Sequence, residues 1–356
     1  MDRYFDFNAT TPLLPEAREA WLQASERHWH NPSSLYRDAG ITSQMLETAR
    51  ERLAWLLGVE AERIIFTSGA TEANNMLFAA FKGQPTAIST IEHPSVREAA
   101  RHWTRMSEFD AHGTMPEGAT LVSVMAANNE SGELLPWREL AERCRDQGIA
   151  FHTDATQWLG KLATDFSGCD YITGSAHKFG GPKGTGFLVL RDEDESMRMI
   201  LGGPQENSRR AGTENYPAIE AMVTALETAM AKMNAYNASG RDAFEQAMQA
   251  SFEGLRIISA EVPRLWNTSL MVMPRHDNLK WLTRLSRRGF SISTGSACSS
   301  GKEGSSVVVT ALGASPEELR RVVRLSGGWL TTKEDWLELA AVFAEVRTEL
   351  DAGGKG

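Results

Sequence analysis

Residues Asp170 to Gly186 read DYITGSAHKFGGPKGTG, which sets Lys178 between a short apolar strand and a turn built from Gly180, Gly181, Pro182 and Gly184. A half-buried lysine at a strand end gives up part of its preference for the charged form. The neutral amine is then both nucleophile and base. That is the chemistry of a Schiff-base lysine. Taken alone, the stretch favours the plainer reading of a solvated loop lysine. A P-loop does not fit, because no Gly-Lys pair stands at the required offset.

Four other places carry comparable chemistry. In FTSGATEAN (66–74) a strand meets a Ser-Gly turn and then a helix start, whose N–H groups and Thr71 hydroxyl suit an anion. An ordinary N-cap from Ser68 or Thr71 is the alternative. In FHTDATQ (151–157) Asp154 ends an apolar strand, where a carboxylate is costly unless paired. A pyridinium nitrogen is a suitable partner, and Gln157 is spaced to donate to a phenolic oxygen. His152 shares the strand face of Asp154, so a metal pair competes, although no third ligand is in view. His93 in IEHP and Asn128 in ANNESG each follow a strand. His93 suits stacking on a flat ring and proton relay, and Asn128 suits a ring substituent. Loop caps are the commoner use of both. Last, STGSACSSGKEG (293–304) sets Cys298 among small residues. Such a loop is a poor place to bury a thiol and a good place for one that must move, with Lys302 near in sequence to favour the thiolate. Cys144 and Cys169 fall in or beside regular elements and read as packing residues.

The elements that must position these residues alternate. Strands are expected at 63–67, 86–90, 120–127, 149–153, 170–173 and 186–190. Helices are expected at 16–29, 40–57, 70–81, 94–103 and 136–147. That pattern predicts an α/β fold with a mostly parallel sheet covered on both faces. Ligands in such folds lie beyond the carboxyl ends of the strands, where the polar residues above fall. A long Ala- and Met-rich helix over 214–234 leads to a second, smaller α/β unit. Its helices are expected near 241–253, 278–288, 305–312 and 332–350, and its strands near 255–259, 267–273, 290–294 and 321–326.

Composition narrows the class. The chain has 356 residues, 42% hydrophobic, with a formal net charge of −9. That is enough for about two domains, and the acidic balance argues against nucleic acid as the main partner. Three scattered cysteines make neither a disulfide framework nor a zinc ribbon, and they fit a reducing, cytoplasmic location. The N-terminus lacks a signal-peptide pattern, and no apolar run is long enough to span a membrane.

Taken together, these stretches resemble the class V aminotransferase group of fold-type I pyridoxal-phosphate enzymes, and within it the cysteine desulfurases of the NifS/IscS type. The resemblance runs in order along nearly the whole chain: DFNATTP (6–12), NPSS (31–34), FTSGATEANN (66–75), EHPSV (92–96), NNESG (128–132), HTDATQ (152–157), SAHKFGGPKG (175–184), RRAGTEN (209–215) and TGSACSSG (294–301). It implies a large domain over 15–235 with a mostly parallel seven-stranded sheet. Residues 1–14 and 236–356 would form a smaller domain carrying the cysteine loop. It implies that Lys178 holds the cofactor, pyridoxal 5'-phosphate, and that Asp154 pairs with its ring nitrogen. Gln157 would bond the phenolic oxygen, with Asn128 nearby, and His93 would stack on the ring. Ala70, Thr71, Ser175 and His177 would hold the phosphate, with Thr213 reaching the phosphate of the neighbouring subunit in a homodimer. Arg324, assisted by Asn31, would bind the substrate carboxylate.

The implied activity is conversion of L-cysteine to L-alanine. Lys178 would move the α-proton, and Cys298 would take the sulfur as a persulfide for a sulfur-acceptor protein, in iron–sulfur cluster assembly or another thiolation pathway. A selenocysteine lyase or C–S lyase of the same fold is the near alternative, followed by an aminotransferase. A catalytically silent binding module and a metal hydrolase on His152 and Asp154 lie further off. Two departures stand out. The family's Ser-Leu-Gly-Arg after the carboxylate arginine is replaced by Ser326-Gly327-Gly328-Trp329, and only about thirty residues follow Arg324. A cluster-scaffold partner docking on the longer tail therefore does not carry over.

Overall fold

The structure is a computed structural model that describes residues 3–191, 197–295 and 306–353. Cys298 and Lys302 lie outside the described residues. The chain divides into two compact units. One comprises Thr11–Ala126 and Leu135–Met233. The other comprises Met1–Thr10, Ala127–Leu134 and Asn234–Gly356.

The first unit is built on a seven-stranded sheet. Across it the strands run Ile64–Thr67, Gly186–Val189, Tyr171–Ser175, Ala150–Asp154, Leu121–Ser123, Pro85–Ser89 and Arg105–Phe109. Gly186–Val189 is antiparallel to both its neighbours, and every other pairing is parallel. The mostly parallel seven-stranded sheet is thus as expected. Apart from the edge strand Arg105–Phe109, its strands are buried runs rather than alternating ones, as a sheet covered on both faces requires. Helices Ala70–Ala80 and Pro94–Trp103 pack on it through Leu77, Phe78, Val96 and Ala100, against Ile65, Ile88 and Leu121. The Ala-rich helix Tyr216–Lys232 packs against Pro15–Arg27 and Arg37–Leu57, its small side chains allowing close approach.

The strand Arg105–Phe109 is absent from the sequence reading. It is an edge strand, mostly exposed, and offers no apolar run to read. The strand expected over 120–127 is shorter, Leu121–Ser123. Beyond it the Val124 and Ala126 N–H groups still donate to the carbonyls of His152 and Asp154, at 3.0 Å each.

In the second unit, Thr268–Val272 lies between Val322–Ser326 and Arg256–Ile257, antiparallel to both. Helices Ser239–Ser251 and Lys333–Gly353 pack through Phe244, Trp336 and Phe343, with Phe5 and Trp281 beside them. The division ends the large unit at Met233 rather than at 235 and differs from the 15–235 boundary at two further places. Thr11–Leu14 belongs with the large sheet, because Thr11 and Leu14 donate backbone bonds to His177 and Gly180. Ala127–Leu134 belongs with the second unit. The Leu134 N–H donates to the Pro263 carbonyl (2.9 Å) and the Leu265 N–H to the Gly132 carbonyl (2.7 Å). Gly132 has φ +78, and a Cβ there would stand 2.7 Å from that of Thr268, so only glycine fits. Among the described residues no helix is long and apolar enough to cross a membrane.

Candidate functional site

Lys178 ends a single 3₁₀ turn, Ala176–Lys178, directly after the strand Tyr171–Ser175. The turn closes because the Gly181 N–H donates to the Ala176 carbonyl (2.9 Å), while a Cβ on Gly181 would come within 2.8 Å of that of Ala176. Thr11 fastens the turn from outside. Its N–H and hydroxyl donate to the His177 carbonyl (2.9 and 3.0 Å), and its Oγ1 accepts from the Gly180 N–H (2.9 Å). Lys178 is therefore half-buried between two anchored residues, not a free loop lysine. Burial, with Lys178 and Lys183 adding, pushes the neighbouring His177 down to about 4, so its ring is neutral at pH 7.

Asp154 ends the adjacent strand and is 5% exposed. Its Oδ1 accepts from the Thr156 N–H (3.0 Å) and its Oδ2 from the Asn74 amide (3.3 Å). The Asn74 amide also donates to Ser95 Oγ (2.9 Å), which lies 2.8 Å from His93 Nδ1. The Ser95 N–H donates to the same ring nitrogen (3.1 Å). Nδ1 is thus the acceptor, and the His93 proton sits on Nε2. Burial pushes His93 down, which keeps it neutral. Asp154, Asn74, Ser95 and His93 form one chain of bonds. Sequence reasoning gave Asn74 and Ser95 no role. The available signal was an asparagine on the buried face of a helix, where an amide needs a partner.

Glu92 stands beside this chain, fully buried. Burial, with the Asp154 charge adding, pushes its carboxyl up to about 8. Its Oε1 accepts from the Met125 N–H (2.6 Å) and Ser89 Oγ (3.0 Å). Gln157 is also buried, and the Lys161 ammonium donates to its Oε1 at 2.6 Å.

The segment expected as an anion cup lies at the start of a helix. Helix Ala70–Ala80 begins with no side-chain cap, so the N–H groups at Ala70 and Thr71 open outward. Gly69 adopts φ +150, and a Cβ there would lie 3.4 Å from Ser175 Oγ, which places Ser175 beside the turn. Thr71 is exposed and Ala70 buried.

Asn31 is exposed, and its Oδ1 accepts from the Ser33 N–H (3.0 Å) in a turn. Thr213 is exposed on the segment before Tyr216–Lys232. Asn128 lies on the excursion of the second unit, where its Oδ1 accepts from the Glu130 and Ser131 N–H groups (2.8 and 2.9 Å). Also in that unit, Arg324 is 2% exposed rather than a surface arginine. Its guanidinium donates to Asp6 Oδ1 (2.6 Å) and to the Asn129 carbonyl (3.1 Å), while the buried Nε has no partner among the described residues. The metal reading on His152 loses its basis. Both ring nitrogens are taken up by Ser123 (2.8 Å) and Thr173 (3.2 Å), and among the described residues no cluster of three ligating groups exists. Cys144 and Cys169 are buried. Burial pushes the Cys144 thiol up to about 11 and the Cys169 thiol higher still, so neither offers a thiolate at neutral pH.

Lysine, strand-end carboxylate, neutral histidine and anion cup together define a class. The family model described as Aminotransferase class-V matches residues 3–339, and the chain belongs to that family. It is 34% identical to a cysteine desulfurase IscS of Dictyoglomus turgidum over 93% of this chain and 91% of that one. It is equally identical to a cysteine desulfurase of Cereibacter sphaeroides over 98% and 96%. A NifS-like protein from Rickettsia africae, 27% identical, superposes with a TM-score of 0.87 over 98% of this chain and 100% of that one. A structure titled SspA in complex with cysteine, also 27% identical, gives 0.79 over 91% and 98%. The family depends on pyridoxal phosphate, and the residues present fit it. An uncapped helix start suits its phosphate, and a buried carboxylate held by two donors suits its ring nitrogen.

Proposed function

We propose that this protein is a cysteine desulfurase, converting L-cysteine to L-alanine and passing the sulfur through Cys298 to an acceptor protein. One observation carries the reading. The anchored Lys178 and the bonded chain Asp154–Asn74–Ser95–His93 stand at neighbouring strand ends, in a chain whose near-full-length relatives are named cysteine desulfurases.

Pyridoxal phosphate, when bound, supplies an electron sink for the charge left at the substrate α-carbon. Lys178 holds the cofactor and moves the α-proton. Asp154 pairs with the ring nitrogen, and Gln157 and Asn128 donate to the phenolic oxygen. His93, neutral and fixed by Ser95, covers the ring face. Ala70, Thr71, Ser175 and His177 hold the phosphate. Arg324, oriented by Asp6, takes the substrate carboxylate as a fork, with Asn31 assisting. The Cys298 thiolate attacks the substrate sulfur. A sulfur–sulfur bond forms, the carbon–sulfur bond breaks, and its electron pair is protonated to give alanine. The product is a persulfide for iron–sulfur cluster assembly or another thiolation pathway.

Thr213 serves the neighbouring site in a homodimer. Exposed Trp29, Leu35, Tyr36, Trp55 and Leu201 on the same unit support burial against a second copy. Free buried thiols at Cys144 and Cys169 support a cytoplasmic location. The test is product analysis after L-cysteine and a thiol reductant. Alanine formed by wild type, absent together with the yellow colour in Lys178→Ala, is expected. Pyruvate as the product would make the protein a C–S lyase instead.

A further inference from the structure

Lys161 has no role in the reading above, yet it is 7% exposed, and burying a lysine demands compensation. The chain is shaped to bring it there. After the strand Ala150–Asp154 the backbone turns. The Trp158 and Leu159 N–H groups donate to the Ala155 carbonyl (2.9 and 3.0 Å), and the Lys161 N–H to the Trp158 carbonyl (3.0 Å). Gly160 takes φ +71. A Cβ there would lie 2.7 Å from that of Phe179 and 3.1 Å from that of Ala229. The turn is thus seated against the residue that follows Lys178. From it Lys161 Nζ reaches back and donates to Gln157 Oε1 at 2.6 Å, a short charge-assisted bond.

The chemistry of the two groups settles the amide's orientation. An ammonium has donors and no acceptor. Only the oxygen of the Gln157 amide can face it, so the NH₂ must face the other way. The ammonium allows the amide only that orientation, and an uncharged side chain in its place would not enforce it. We propose that Lys161 is a positioning residue that holds the Gln157 amide in the one orientation that presents its NH₂ to the phenolic oxygen of the cofactor. The proposal rests on the cofactor reading above and adds a residue to it.

A donor at the phenolic oxygen favours the anionic oxygen and weakens its hold on the neighbouring proton. Losing it should move the pH midpoint of the visible absorbance of the loaded enzyme upward. The experiment titrates that absorbance in wild type, Lys161→Met, Gln157→Ala, the double variant and Lys161→Arg, with thermal unfolding alongside. Lys161→Met is expected to raise the midpoint by about one pH unit, the shift that a tenfold change in proton affinity produces. Added to Gln157→Ala, it should shift nothing further. Lys161→Arg, which keeps a donor, should stay near wild type. An unmoved midpoint in Lys161→Met, even with lowered thermal stability, overturns the proposal. So does an equal shift in both backgrounds, which would mean the charge acts without the amide. If Lys161→Met fails to fold, a displaced midpoint in Lys161→Arg overturns it. A wild type with no visible band overturns the cofactor reading itself. A band indifferent to Lys161 overturns only this step.

Discussion

The edge of the large sheet supplies a prediction that geometry alone sizes. Among the described residues Ile64–Thr67 pairs with one strand, Gly186–Val189, and the Ile64 carbonyl and the Phe66 N–H face away from it. A buried ion pair takes the place of the missing neighbour. Arg50 Nη1 donates to the Ile64 carbonyl (2.8 Å), and Glu206 Oε2 accepts from the Phe66 N–H (3.0 Å). The two side chains meet as a fork, at 2.8 and 3.1 Å, and are 9% and 2% exposed. Glu206, Asn207 and Ser208 all have positive φ, so the pair also holds a left-handed run that would otherwise relax.

Glu206→Gln keeps the shape and an acceptor for Phe66 but removes the charge facing Arg50. The remaining carboxylate, Glu47 at 3.1 Å, is 57% exposed and compensates by less than about 1 kcal/mol. Leaving one partner of a buried pair uncompensated costs about 3–5 kcal/mol. For a unit of this size that lowers the thermal midpoint by about 6–20 °C. The edge strand leads directly into Gly69 and the anion cup, so cofactor affinity should fall as well. Circular-dichroism melting of the cofactor-free protein measures the first effect, and fluorescence titration with pyridoxal phosphate the second. Glu16→Gln, at the exposed Lys232–Glu16 pair, is the control and should shift melting by no more than about 4 °C. A Glu206→Gln midpoint as high as that of the control would refute the reasoning.

Further outcomes follow from the burial of other groups. Cys144→Ala and Cys169→Ala should both keep desulfurase turnover, because neither thiol ionises near pH 7; loss of turnover in a folded variant of either would contradict the choice of thiol. Glu92 carries a proton in the fold up to about pH 8, against about 4.3 for an unperturbed glutamate. Its contribution to stability is therefore complete below that lower value and lost as pH rises to about 8. Glu92→Gln keeps the neutral shape, so the urea stability of wild type relative to the variant should fall between about pH 5 and pH 8. A constant difference would contradict the shift.

The architecture was legible because its strands are buried apolar runs that alternate with helices. The residues beyond their carboxyl ends then pointed to the site. What escaped reading was contact between distant segments. Thr11 grips the Lys178 turn from 166 residues away, and Asn74 joins Asp154 across 80. Nothing local marks Thr11 for that purpose, and the buried helix position of Asn74 shows that its amide needs a partner without showing which. The Ala127–Leu134 excursion escaped for the same reason, since its partners Pro263, Leu265 and Thr268 come much later in the chain. Lys161 has no sequence signal either, because only the left-handed turn at Gly160 brings it back to Gln157.

The central claim is that Cys298 receives the sulfur. The most direct measurement is mass spectrometry of Cys298-containing peptides after the loaded enzyme meets L-cysteine without reductant, paired with alanine release by Cys298→Ala. One added sulfur is expected on Cys298, none on Cys144 or Cys169, and no sustained alanine release by the variant. Alanine released at the wild-type rate by Cys298→Ala, or sulfur found on another residue, would contradict that claim.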